Sequence, residues 1–191
     1  MSSKIVKYTD LVPRMLRDLN NYSPASALFA LQDAGREFCN RSEAWFEDLP
    51  SIDLVADQQY YALATDYVAE IKLIKSVRVL TSDDVTNELE GEIVPPSHYR
   101  MDLPGRLKFL TGYAPSTTVT GGLIVEVVLV PNMGTNELPE WIMSRWAEGI
   151  IGHAMNGLLR GVDLIKAATY LSDFNRKLNE AMIQSMEDPH P

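Results

Sequence analysis

Apolar residues recur at three- and four-residue steps at both ends of this chain and alternate or run together in its middle, so helices are expected to flank strands. Near the start, Leu11, Met15, Leu16 and Leu19 predict a short helix. Thr9 and Asp10 are available to cap it, and Pro13 is tolerated in its first turn. Asn20-Asn21-Tyr22 breaks that pattern. Ser23-Pro24 then gives a hydroxyl cap followed by a proline preset for the first helical position. From there to about Trp45, Leu28, Leu31, Ala34, Phe38 and Trp45 share a face that Ala27 and Gly35 keep shallow.

The period changes at Pro50. Ser51 to Val55 alternates, Tyr60 to Leu63 resumes extended character, and Ile71 to Leu80 is rich in β-branched residues. Ser82 to Glu92 is polar and acidic and predicts a loop or hairpin tip. His98 to Arg100 and Leu107 to Leu110 are short strand candidates around Leu103-Pro104-Gly105. Gly121-Gly122 reads as a turn introducing a strand from Leu123 to Val130, closed by Pro131. Connections this short leave no room for crossover helices, so the sheet is expected to be antiparallel.

Helix returns at Leu138-Pro139-Glu140, with Glu137 and Glu140 suited to the positive end of the dipole. Trp146, Ile150, Ala154 and Leu158 form one stripe, interrupted by Gly149, Gly152, Gly157 and Gly161. Four glycines at up to about 1 kcal/mol each suggest a packing reason, within or between subunits, as much as a kink. Asp163 is placed to cap a last helix carrying Leu164, Ala168, Leu171, Phe174, Leu178 and Met182 on one side. The expected fold class is α+β: residues 1–49 and 138–187 form a discontinuous helical bundle, 50–137 an inserted small antiparallel β-sheet module, and 188–191 a flexible tail.

Composition changes this picture little, but charge narrows the partners. With 191 residues the chain can bury about 70% of its unfolded surface, enough for a core without staples. A net charge of −9 gains nothing from counterion release, which disfavours sequence-specific binding of nucleic acid. An acidic wall that repels phosphate and lets a duplex slide is compatible with that charge, as is plain solubility. Cys39 is the one cysteine, so no intramolecular disulfide forms. The opening residues have no apolar core of signal-peptide length, and Gly149 to Leu159 is too short to span a bilayer. A protein made in the cytosol, with no membrane partner, is expected.

Candidate chemistry is sparse. None of His98, His153 and His190 has a second histidine or a cysteine at metal-ligand spacing, so no metal and no cofactor is expected. His98 and Asp102 could pair as base and orienter, but no nucleophile is placed beside them and the G-x-S-x-G elbow is missing. Asp83, Asp84, Glu88, Glu90 and Glu92 invite a calcium reading but fail the EF-hand spacing, so a solvated loop that meets a basic partner surface is preferred. The tryptophans and Cys39 read as packing residues. No catalytic residue and no enzyme activity are expected.

The run Ala27-Leu28, Ala34 to Cys39 and Ser42 to Trp45, followed by Ile52 to Gln58 and Tyr60 to Leu63, resembles the opening of tailed-bacteriophage head-to-tail adaptor proteins. Leu138-Pro139-Glu140-Trp141 opening a helix that continues Arg145 to Ile150, then a second long helix, resembles the family's C-terminal arrangement. The hinge Gly161-Val162-Asp163 is plainer than the Pro- or Trp-bearing hinges of many relatives. The resemblance implies a homo-oligomeric, dodecameric ring beneath the portal protein, a tail or nozzle protein below it, and a channel passing double-stranded DNA. It implies a place at the head-tail junction of the virion, assembled in the host cytoplasm. Portal docking is expected from the end of the last helix and the tail, at Leu178, Met182, Ile183, Met186 and Pro191. The acidic loop Asp83, Asp84, Glu88, Glu90 and Glu92 is expected to face another protein. The alternatives are another neck or tail-completion protein, or a small-molecule-binding module or hydrolase using His98 and Asp102.

Overall fold

The computed structural model describes residues 4–19, 21–80 and 91–187. The chain divides into two compact units, Met1–Trp45 with Val130–Pro191 and Phe46–Leu129. The fold is α+β.

In the first unit the opening strand β1 (Ile5–Lys7) leads through a 3-10 turn (Tyr8–Asp10) to the short helix α1 (Val12–Leu16). Thr9 and Asp10 fall within that turn instead of capping α1, whose cap position is Leu11 and has no side-chain cap bond. Helix α2 (Pro24–Ser42) begins as its sequence dictates: Ser23 Oγ accepts from the Ser26 N–H at 3.1 Å and Pro24 occupies the first position. It ends where Ser42 Oγ donates to the Phe38 carbonyl at 2.8 Å and accepts from the Ala44 N–H, and Glu43 turns left-handed at φ 54. Helices α3 (Glu140–Leu159) and α4 (Leu164–Glu187) complete the bundle. Asp163 caps α4, its Oδ1 accepting from the Lys166 N–H at 3.0 Å.

Helix α3 packs between α2 and α4, and so is buried on more than one stripe, from Ile142 to Leu159. Phe38 of α2 meets Trp146 of α3 and Phe174 of α4 at ring-centroid separations of 5.8 and 6.3 Å. On α4 the inward face is Ala167, Phe174, Leu178 and Ala181, while Leu164 and Ala168 point to solvent, a rotation from the expected stripe. Two of the four glycines have an intrachain packing role. A Cβ on Gly149 would lie 2.8 Å from Lys177 Cβ, whereas Gly157 and Gly161 face open space. A three-residue strand, β10 (Glu137–Pro139), pairs antiparallel with β1 just before α3.

The second unit holds the remaining strands of the described residues: β2 (Phe46–Asp48), β3 (Ile52–Leu54), β4 (Tyr60–Ala62), β5 (Ala69–Val79), β6 (Glu92–Ile93), β7 (Tyr99–Leu103), β8 (Arg106–Phe109) and β9 (Val119–Pro131), whose last two residues belong to the first unit. A five-stranded sheet runs β2-β9-β5-β6 with β3 also on β9, and a three-stranded sheet runs β4-β8-β7. Gly121-Gly122 lies inside β9 and is no turn. The register between β3 and β9 shifts there, Gly121 adopts φ +62, and its N–H donates to Asp53 Oδ1 at 2.8 Å. Pro104-Gly105 does make a turn, joining β7 to β8 with Gly105 at φ +69. The core of this unit includes the wholly buried Leu107 and Leu123. Tyr61 packs edge-on to Phe109 and pins a loop: its hydroxyl donates to the Val55 carbonyl at 3.0 Å and accepts from the Val55 N–H at 3.1 Å.

Candidate functional site

The end of α4 divides between core and surface. Leu178 is 2% exposed and belongs to the bundle interior, so it positions the helix and offers no docking surface. Met182 is half-buried, and Ile183 and Met186 are exposed at 56% and 79%. Pro191 lies outside the described residues. Ser185 between them lies against the bundle: its Oγ is within donating distance of the Ser42 carbonyl of α2 at 3.1 Å and of the Met182 carbonyl of its own helix at 2.9 Å. The opposite end of α4 exposes a second apolar group at its junction with α3, where Val162, Leu164 and Ile165 are 76%, 71% and 83% exposed. Exposed apolar side chains grouped in this way make each end of α4 a candidate surface for contact with another protein.

Of the acidic loop, Asp83, Asp84, Glu88 and Glu90 lie outside the described residues. Glu92 is exposed in β6, opposite Val79.

His98 and Asp102 are engaged by different partners. His98 stacks on Tyr113 at 3.7 Å between ring centroids. Asp102 pairs with Arg106 and with Arg100, and the Arg106 hydrogen bond holds its carboxyl below the usual carboxylate range. The two are not assembled as base and orienter. His153 is half-buried against the Phe174 ring at 4.3 Å, and burial lowers its pKa. Cys39 is fully buried and its thiol is pushed up to about 12 by desolvation, as befits a packing residue. Among the described residues there is no cluster of three or more His, Cys, Asp or Glu that could hold a metal ion, and no helix is long and apolar enough to cross a membrane.

One surface escaped the sequence reading. The alternation Arg106-Leu107-Lys108-Phe109 in β8 buries Leu107 and Phe109 and turns both cations to the other face of the three-stranded sheet. The register places Lys108 directly between Tyr60 of β4 and Arg100 of β7. Arg106 and Lys108 both approach the Tyr60 ring, at 5.0 and 4.9 Å from its centroid. Three cations, one carboxylate and an exposed tyrosine thus occupy one face of a chain whose net charge is −9.

The family model described as SU10 adaptor protein matches residues 6–190. No curated protein matches the sequence. A solved structure, "Neck of empty GTA particle computed with C6 symmetry", contains a chain to which this one is similar at 14% identity with a TM-score of 0.31, covering 84% of this chain and 85% of that one. A likeness at that score carries no argument about fold or function.

Proposed function

We propose a specific station for this chain, which belongs to the SU10 adaptor protein family: a structural subunit of a ring beneath the portal protein at the head-tail junction of the virion. The structural adaptor role follows from family membership; the ring, its partners and the channel are the proposal. The observation that carries it is the match of the adaptor family over almost the whole chain. A helical bundle with exposed apolar groups at both ends of its last helix supports it. The bundle would pack against the portal and neighbouring subunits, and the strand-rich unit would face a tail or nozzle protein. A dodecameric ring would enclose a passage for double-stranded DNA, and an acidic chain would line it without binding.

Portal docking falls to Met182, Ile183 and Met186, with Leu178 anchoring the helix from inside the bundle. The acidic segment Asp83 to Glu92 is assigned to a protein contact. Truncation after Gln184 removes Met186 and the Ser185 bond, so loss of portal binding with an intact fold is expected. Unchanged portal binding would remove Met186 and the residues after it from the interface. A place elsewhere in the neck, or as a tail-completion protein, is the second reading: binding to a tail-side ring and not to the portal would establish it.

A further inference from the structure

The basic face of the β4-β8-β7 sheet carries more positive charge than its own carboxylate balances. Arg100 and Lys108 stand directly opposite each other in the antiparallel pairing, where like charges destabilise a sheet. Asp102 is ion-paired with Arg100 and Arg106 and its charge also acts on Lys108, which is in no ion pair among the described residues and lies over the Tyr60 ring, so one carboxylate serves three cations. With Arg100 exposed and Lys108 half-buried, this excess of cation is complementary to an anionic partner. The face is one side of a three-stranded sheet with Tyr60 and Arg100 exposed on it, which fits an extended peptide. With Arg106 and Lys108 both set against its ring, Tyr60 is poorly placed to stack on a nucleobase, so a single nucleic-acid strand is disfavoured.

We infer that this face docks the acidic segment Asp83 to Glu92 of a second copy of the chain. The choice of occupant rests on the ring reading above and on charge. Subunits in a ring meet head to tail, so each must carry two different, complementary patches. The ten residues 83–92 contain five carboxylates and no cation, the densest acidic stretch in the sequence. Opposite charges meeting across that joint would also reject the wrong pairing, basic face against basic face. The contact is polar and rim-like, so it orients neighbours and is weakened by salt.

The test is a synthetic peptide spanning residues 81–92, titrated into the full-length chain in low-salt buffer and followed by fluorescence anisotropy. The expected result is saturable binding that falls about tenfold or more on R100E/K108E, with the melting temperature of that variant checked to exclude misfolding, and that falls likewise in high salt. Absence of peptide binding, or binding indifferent to R100E/K108E, would overturn the inference whatever the chain does on a portal. A short DNA duplex binding this face in place of the peptide would overturn it also, assigning the cations to phosphate. Peptide binding by a chain that forms no ring on a competent portal would leave this contact standing and sink the ring reading.

Discussion

Gly152 of α3 lies so close to the Tyr170 carbonyl of α4 that a Cβ built on it falls 3.0 Å from that oxygen. Backbone is the obstacle here, and backbone in a packed helix cannot step aside as a side chain can. G152A is therefore expected to destabilise the bundle by about 1–3 kcal/mol. G157A, in the same helix but facing open space, is expected to stabilise it by up to about 1 kcal/mol through helix propensity. Urea unfolding of the two variants beside the parent chain checks the sign of each. Equal effects would mean that the glycines serve the helix and not its partner.

Gly35 and Tyr8 make another close approach in the same unit. A Cβ on Gly35 would fall 1.8 Å from the Tyr8 hydroxyl oxygen, so G35A must expel the ring. The hydroxyl itself is buried without a hydrogen-bond partner among the described residues, and burial raises its pKa well above the ordinary value. An unpaired buried hydroxyl costs about 1–3 kcal/mol, so Y8F is expected to leave stability unchanged or raise it. Thermal melts should show G35A below the parent chain and Y8F no lower than it.

Local signals explain what the sequence made legible. Ser23-Pro24 and Asp163 set helix starts through atoms within three or four residues, and both caps form as expected. Pro104-Gly105 makes its turn for the same reason. What failed depends on distant partners. Strands β1 and β10 are three residues each and pair across more than a hundred residues, so no period announces them. Gly121-Gly122 has the composition of a turn, and only the neighbouring β3 makes it a bulge. The sequence misphases the face of α4 because Leu164 outweighs Ala167 in hydrophobicity, whereas Ala167 is the buried one and its carbonyl accepts from Asn156 of α3. At the candidate surface, Ile183 and Met186 were visible as apolar residues, but that Leu178 belongs to the core required the packing of α4. The basic face was readable in principle from the alternation of β8, yet Tyr60 and Arg100 join it only through strand register.

His153 gives the bundle a pH dependence of known sign. Desolvation lowers its pKa from the ordinary 6.5, Arg41 of α2 acts in the same direction, and Glu37 opposes them. The folded chain thus resists a proton that the unfolded chain accepts. This contribution to stability is intact above 6.5, declines as pH falls from 6.5 towards the lower folded value, and is fully lost below that. Denaturant midpoints measured between pH 7.5 and 5.5 should fall, and H153Q should flatten that part of the profile. A profile unchanged by H153Q would assign the slope to other groups.

The central claim is that this chain is an adaptor that assembles as a ring on the portal. Mixing the purified chain with the portal ring of the same particle and measuring the mass of the complex tests it most directly. A complex holding one copy of the chain per portal subunit is the predicted result. A competent portal that remains bare while the chain stays small in solution would contradict it.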